Sequence, residues 1–168
     1  QAVSIPYKGK SMSMVILLPK AIDGLPAIEK QLTAGKLREW LAELDKKPVR
    51  KTYLYLPKFK LETGYDLKAP FQAMGMKDAF SVTKADFTGM GWKKGSLWIG
   101  QIKHKAFVEV NEEGTEAAAA TAVEMVTKSA PVRDHEVFRA DHPFLFIVRD
   151  NSSGAILFMG RMANPGSR

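Results

Sequence analysis

Three histidines are the side chains of this 168-residue sequence best suited to acid–base or metal chemistry, since it contains no cysteine. His135 follows Asp134 and His142 follows Asp141, so each pair could in principle exchange a proton. Neighbouring residues of a strand point to opposite faces, however, so neither pair predicts a catalytic arrangement. The histidines also lack the spacing of metal ligands. Because no nucleophile, base and orienting group stand at a recognisable spacing, we predict neither an enzyme nor a metal or cofactor site.

The stretch that organises the rest of the chain is residues 111–129, NEEGTEAAAATAVEMVTKS. Its acidic start and its run of alanines favour a surface helix by intrinsic propensity. With a period of two, the same stretch makes a strand with two different faces. One face would be small or apolar throughout, formed by Thr115, Ala117, Ala119, Thr121, Val123 and Met125. The opposite face is marked by Glu116 and Glu124. Propensity favours the helix, and the pattern leaves the strand open.

Several separated motifs carry a resemblance to one protein family. Residues 110–122, VNEEGTEAAAATA, closely resemble the hinge of the serpin reactive-centre loop, and residues 143–165, PFLFIVRDNSSGAILFMGRMANP, resemble the serpin C-terminal hairpin. The motifs LPKF, GYDL and ADFTGM occur in the family's order at 56–59, 64–67 and 85–90. On these motifs, the chain is identified as a member of the serpin family.

The resemblance also sets an expected fold. The chain is under half the length of a complete serpin, so residues 1–168 would be the C-terminal part of a single serpin domain. That implies an α+β fold of mostly antiparallel sheets with a few helices, in which residues 111–142 form the hinge and reactive-centre loop and residues 143–165 the C-terminal β-hairpin. The N-terminal part of the same serpin would be a structural partner. A secreted or extracellular location is favoured by the resemblance, while the sequence itself leaves it unknown.

The implied function is that of a serine protease inhibitor that acts as a suicide substrate. Counting along the family pattern from the hinge places the reactive bond at Lys128–Ser129, with Arg133 as the alternative bait residue. A basic residue there suits the acidic specificity pocket of a trypsin-like protease, which would be trapped as an acyl-enzyme. A non-inhibitory serpin that serves as a carrier or chaperone is the alternative function. The hinge would consist of Glu112, Glu113, Gly114, Thr115, Glu116, Ala117, Ala118, Ala119, Ala120 and Thr121.

Inhibition by loop insertion places a physical demand on the hinge, because the cleaved segment must enter the main sheet between strands that are already packed. The small inward face from Thr115 to Thr121 meets this demand, and no proline or inward charge interrupts residues 114–126. At ~3.3 Å per residue, such a strand would be roughly 40 Å long. Each new ladder hydrogen bond contributes ~0.5–1.5 kcal/mol, so a dozen approach the whole stability of a typical domain.

Two further residues are assigned by the resemblance to the opening of the sheet. His104 matches the histidine beneath the centre of the opening sheet, and from the sequence alone we expect a hydrogen-bonded core histidine there. Lys58 and Glu112 fall on matching basic and acidic positions near the start of the loop, where an ion pair would oppose premature opening.

The net charge of +7 raises the question of a polyanionic partner. A glycosaminoglycan site of the kind that some serpins carry is one interpretation. Solvated faces without such a partner are the interpretation we favour, because no aromatic residues interleave with the charges. No apolar run approaches the ~20 residues of a membrane span, so we predict no membrane partner. The basic clusters are Lys46, Lys47, Arg50 and Lys51, then Lys58 and Lys60, then Lys93 and Lys94.

The elements that would position the loop begin with two short strands in residues 1–20. The second contains MVILL and is expected to be buried on both faces. An amphipathic helix follows, with Leu37, Trp40, Leu41 and Leu44 on one side. Residues 49–61 alternate as one strand with an irregularity at Pro57.

Asp66 is a candidate N-cap for a helix through Met74. A long strand from Ser96 to Val110 should lead into the hinge and place His104 on its apolar face. After the loop we expect a short strand near 137–140. Two apolar strands, joined by a turn at 150–154, would complete a dominant antiparallel sheet.

Overall fold

The structure is a computed structural model and describes residues 1–111 and 136–166. The described residues divide into two compact units, residues 1–59 with 110–111 and 136–166, and residues 60–109. The helices and strands of the first unit are β1 (Ala2–Pro6), β2 (Met12–Leu17), α1 (Leu25–Gln31), α2 (Ala34–Asp45), β3 (Thr52–Tyr55), β6 (Glu136–Arg139), β7 (Phe144–Asp150) and β8 (Ile156–Met162). The second unit holds most of β4 (Phe59–Asp66) and β5 (Lys103–Val110), together with α3 (Lys68–Ala73) and single 3-10 turns at Asp78–Phe80 and Thr88–Met90.

The largest sheet of the first unit has the strand order β1-β2-β7-β8, and every pair of neighbours is antiparallel. Its two central strands are buried on both faces, which confirms the prediction for MVILL. The predicted hairpin between β7 and β8 is also confirmed. Its turn is held by Asp150, whose Oδ1 accepts hydrogen bonds from the backbone and hydroxyl groups of Ser152 and Ser153. These bonds lower the pKa of Asp150 to about 2.

The hydrophobic core of the first unit joins this sheet to the two helices. The predicted amphipathic helix is α2, which begins after Thr33, whose hydroxyl accepts a hydrogen bond from the Lys36 amide at 3.2 Å. Its residues Leu37 and Leu41 are buried, while Trp40 and Leu44 pack at the margin of the same cluster. The sheet and α1 contribute the remaining buried members, Val15, Leu17, Leu25, Leu145 and Ile147.

The predicted strand over residues 49–61 is wrong, because the structure forms two strands with different partners there. The strand β3 pairs in parallel with β6, whereas β4 pairs with β5. The break falls at residues 56–58, around Pro57, whose nitrogen carries no hydrogen for a ladder bond. The sequence indicated an irregularity at this point but not the change of partner.

The predicted strand from Ser96 is wrong over its first part, since β5 begins only at Lys103. The backbone of residues 96–102 is used in other contacts. The Ile99 amide donates to the carbonyl oxygen of Ala79 at 2.8 Å, and the Ile102 carbonyl oxygen accepts from the Leu67 amide at 2.8 Å. These bonds hold the segment in loop geometry in spite of its alternating sequence.

The helix predicted to start at Asp66 starts one residue later. Asp66 is the last residue of β4, and Leu67 is the N-cap of α3. The Asp66 carboxylate still accepts the Lys68 amide at 2.9 Å, and this bond, with a second one from Gln101, lowers the pKa of Asp66. The side chain thus supports the first turn of the helix from just outside it.

Candidate functional site

The candidate site is the base of the predicted reactive loop, where the structure describes the chain on either side. Asn111 is the last residue described before the loop, directly after β5, and Glu136 is the first one described after it. The predicted hinge, Glu112 to Thr121, lies outside the described residues. The same holds for the predicted reactive bond, Lys128–Ser129, and for Arg133.

The chain enters the loop at Asn111, which lies at a cleft of about 300 Å³ in the first unit. Lys58 and Asn111 both line this cleft, so the structure brings the predicted basic residue next to the start of the hinge. Burial raises the pKa of the Tyr7 hydroxyl in the same cleft. The remaining lining residues are nearly all apolar: Ile5, Pro6, Met14, Leu54, Leu56, Pro57 and Val110.

After the loop, the chain returns as β6. This strand pairs in parallel with β3, so that Tyr53 lies opposite Val137 and Tyr55 opposite Arg139. At the first position of β6, Glu136 Oε1 lies 2.5 Å from Arg50 Nη1. The segment from β3 to Lys58 therefore pairs with the returning end of the loop and lines the cleft at its start.

The link between β6 and β7 contains His142 and corrects one prediction. Adjacent residues were expected to point apart, yet His142 Nδ1 lies 2.8 Å from Asp141 Oδ1. The strand rule does not apply because the pair lies between β6 and β7 and not within either strand. The second ring nitrogen of His142, Nε2, lies 2.8 Å from the carbonyl oxygen of Pro19, so both ring nitrogens hold the link in place. The Asp141 carboxylate and, next, the Pro19 carbonyl raise the pKa of His142.

His104 is on β5 and is exposed, so the prediction of a core histidine is wrong for the described chain. Its neighbours on the same face, Ala106 and Val108, are only partly buried, and Val110 is the first fully buried position. The described residues cover this face only at its end, which leaves the imidazole in solvent. A role for His104 in sheet opening stays a prediction.

In the first and the third of the basic clusters, residues pair with acidic side chains. Lys46 lies 2.9 Å from Glu43, and Lys94 lies 3.7 Å from Asp86. Arg50 pairs with Glu136, as described above. Within residues 1–111 and 136–166, no group of three or more histidine and acidic side chains is arranged to hold a metal ion. No helix in that part of the chain has the length and apolar content to cross a membrane.

A family model described as serpin, serine protease inhibitor, matches residues 1–165. The chain belongs to the serpin family. Human serpin B4 is 49% identical over 167 residues, which are 98% of this chain and 41% of that protein. This serpin chain therefore spans about two fifths of the length of the relatives it matches.

Solved serpin structures agree with the described fold. Uncleaved ovalbumin has a TM-score of 0.77 and 36% identity, with 96% of this chain and 41% of that chain covered. Native protease nexin-1 with heparin has a TM-score of 0.70 and 32% identity, with 98% and 40% covered. The predicted α+β fold with mostly antiparallel sheets is confirmed.

Proposed function

We propose that the full-length protein inhibits a trypsin-like serine protease as a suicide substrate. The observation that carries this proposal is the hinge sequence, residues 110–122, which follows β5 in a chain that the serpin model matches almost throughout. A carrier or chaperone needs no uninterrupted row of small residues, whereas insertion into a sheet does. Thr115, Ala117, Ala119 and Thr121 supply that row.

The anchoring of the two loop ends supports this function. One end leaves β5 beside the cleft that Lys58 lines, and the other returns as β6, which is paired with β3. Cleavage between these ends would free the hinge from β6 while each half keeps its own anchor. The freed hinge could then fold back beside β5 and join the sheet as a new strand. The acylated protease would move with it.

Insertion would also explain slow release of the protease. A strand of a dozen residues adds a dozen ladder bonds of ~0.5–1.5 kcal/mol each, enough to distort the active site of the tethered enzyme. A distorted oxyanion hole loses stabilisation of the deacylation transition state. The uncleaved protein would be metastable, held by a kinetic barrier.

The barrier would include the residues assigned to sheet opening. Glu112 directly follows Asn111, which shares its cleft with Lys58, so an ion pair between Glu112 and Lys58 would fix the start of the hinge. An exposed pair of this kind contributes at most ~1 kcal/mol. His104, on β5, would lie beneath the inserted strand in the complete protein.

The reactive bond would be Lys128–Ser129. The lysine side chain fits the acidic pocket of a trypsin-like protease, in which a desolvated ion pair gives strong preference for a basic residue. Polyanion binding would be an addition to this function rather than an alternative to it. Protease nexin-1, a solved relative, was crystallised with heparin, and the loop between α2 and β3 is basic.

The test is to mix the full-length protein with trypsin and to analyse the products under denaturing conditions. An inhibitor gives a denaturant-stable adduct and a released peptide that begins at Ser129. Lys128→Ala should abolish both products, whereas the matched variant Arg133→Ala should keep them. Cleavage at Lys128 without an adduct would support the carrier function instead, and cleavage only after Arg133 would move the reactive bond.

A further inference from the structure

The parallel pair of β3 and β6 forms a two-stranded ribbon with two different faces. Phe138 is 6% exposed and lies opposite Leu54 on the inner face. On the outer face, Tyr53 lies opposite Val137 and Tyr55 opposite Arg139. Tyr53, Tyr55 and Val137 are 57%, 48% and 56% exposed, and Arg139 is exposed as well. The ribbon thus presents two tyrosines, a valine and an arginine to the outside.

The outer face of the ribbon has the composition of a protein-binding surface. Tyrosine and arginine are enriched at interface hot spots, because each offers a large contact area and a polar tip. The guanidinium carbon of Arg139 lies 4.0 Å from the centroid of the Tyr55 ring. This cation–π contact orders both side chains before any partner arrives, which lowers the entropy lost on binding.

Charge near the ribbon indicates the chemistry of the partner. Lys51, two residues before Tyr53, is exposed, as are Lys47 and Arg139. The nearby cations Lys46 and Arg50 already pair with Glu43 and Glu136. Lys46 and, after it, Lys47 lower the pKa of Glu43. In the same way, His142 and, after it, Arg139 lower the pKa of Asp141. The five cations thus share three carboxylates, and the excess of positive charge favours an acidic surface on the molecule that binds the ribbon.

The position of the ribbon indicates which partner can reach it. The strand β6 begins at Glu136, seven residues after Ser129 (136 − 129 = 7). At about 3.6 Å per residue at most, this separation is no more than about 25 Å. A protease seated on the Lys128–Ser129 bond is itself wider than this distance, so its surface beside the active-site cleft would lie over or next to the ribbon.

We propose that the outer face of the ribbon, formed by Tyr53, Tyr55, Val137 and Arg139, is a second contact surface for the attacking protease and selects proteases with an acidic surface beside the cleft. The inference rests on the proposed function, since it concerns the same protease. It adds a determinant of specificity that lies outside the reactive loop.

The experiment compares anionic and cationic trypsin, which share cleavage chemistry and differ in surface charge. The rate constant of adduct formation is measured with full-length wild type, Tyr53→Ala/Tyr55→Ala and Arg139→Glu at low and high salt. At low salt, wild type should trap anionic trypsin about tenfold faster than cationic trypsin, and added salt should reduce this preference. The double tyrosine variant should react about tenfold more slowly with anionic trypsin. Arg139→Glu should abolish the preference.

Two matched controls lie on the second unit. Tyr65→Ala removes a tyrosine on β4 that is 57% exposed, equal to Tyr53. Lys93 is exposed, and Lys93→Glu makes the same change of charge there as Arg139→Glu makes on the ribbon. Both should stay within twofold of wild type with either trypsin.

Each other outcome overturns the inference or the proposed function separately. Equal rates for wild type and the ribbon variants would remove the ribbon as a protease contact. A lower melting temperature with unchanged rates would show that another part of the protein covers this face, and a loss of heparin retention with unchanged rates would make it a polyanion site. If wild type is cleaved without an adduct, the proposed function fails, and the rate of loop cleavage still tests the ribbon.

Discussion

Phe146 and Gly160 lie opposite each other on β7 and β8, and the Phe146 ring occupies the space that a side chain at residue 160 would need. A Cβ atom added there would lie 2.6 Å from Cζ of the ring and 2.7 Å from Cε1. Phe59 also packs against this ring, with the two ring centroids 5.4 Å apart. Gly160 therefore has a packing role.

We expect Gly160→Ala to lower the free energy of unfolding by about 1–3 kcal/mol, the usual effect of overpacking a core. Phe146 is 2% exposed and has little room to move away. The control is Gly64→Ala on β4, where an added Cβ meets no atom within 4 Å. Urea unfolding of the full-length protein measures both. Equal stability of the two variants would contradict the packing role.

A second prediction concerns Arg149, whose guanidinium is nearly buried and pairs with Asp45 at the end of α2. Its Nη1 donates to Asp45 Oδ2 at 3.0 Å, Nη2 pairs with Oδ1, and Nε donates to Ser13 Oγ at 3.3 Å. Asp45→Ala removes two of these acceptors from a side chain that is 10% exposed. Because the Asp45 carboxylate is itself half exposed, we expect a loss of about 1–2 kcal/mol in unfolding free energy.

The control for this pair is Glu43→Ala on the same helix, which breaks the exposed contact with Lys46 and should not change stability measurably. The double variant Asp45→Ala/Arg149→Met removes the charge together with its acceptors. It should regain part of the loss, because an apolar side chain needs no partner. A double variant that is no more stable than Asp45→Ala alone would show that the unpaired charge is not the cause of the loss.

The third prediction is a pH dependence at His142. Only the protonated ring can donate to Asp141 and to the Pro19 carbonyl at once, because a neutral imidazole has one N–H. The raised pKa means that this link stabilises the fold fully below about pH 6.5, the ordinary value for histidine, and is lost as the pH rises through the raised value. The melting temperature of His142→Gln should therefore fall furthest below wild type at pH 5.5 and least at pH 8.5.

Asp141→Asn is the companion variant, since the Asp141 carboxylate is the largest cause of the raised pKa. It should make the melting temperature of the protein depend less on pH between 5.5 and 8.5. A difference between wild type and His142→Gln that stays constant over this range would rule out the proton-dependent link.

The sequence predicted elements whose pattern depends on local spacing. The strand MVILL and the helix with Leu37 and Leu41 were found because burial follows their periodicity directly. Pro57 was recognised as an irregularity, but the exchange of strand partners there depends on β6, which lies about eighty residues away in sequence. Residues 96–102 alternate like a strand and lack one because their backbone bonds are made to loops.

The candidate site was predictable only in part, since the resemblance supplied the hinge and the bond at Lys128. The outer face of the ribbon was missed because Tyr53 and Tyr55 become a surface only through pairing with Val137 and Arg139. The available signal was the alternation of side chains along residues 51–55, which places the two tyrosines on one face of the strand and Leu54 on the other. The link from His142 to Pro19 had no sequence signal, because it joins residues 123 positions apart.

The last prediction tests whether the hinge enters a sheet with the face that its sequence indicates. Ala119 is on the small face, and Ala118 lies on the opposite face with Glu116. Ala119→Glu would bury an unpaired charge on insertion, which costs several kcal/mol, so the protease should escape before trapping. We expect cleavage of Lys128–Ser129 to continue, with at least a tenfold higher ratio of cleaved protein to adduct.

Ala118→Glu is the matched control, because the same charge on the outer face stays in solvent and should leave the ratio of cleaved protein to adduct near that of wild type. Melting temperatures after loop cleavage give an independent measure. Insertion should raise the melting temperature of wild type and of Ala118→Glu but not that of Ala119→Glu, since only the last variant keeps its freed hinge outside the sheet. Identical behaviour of the two glutamate variants would mean that residues 118 and 119 do not face solvent and interior, respectively, after cleavage. The proposed insertion of the hinge in this register would then be contradicted.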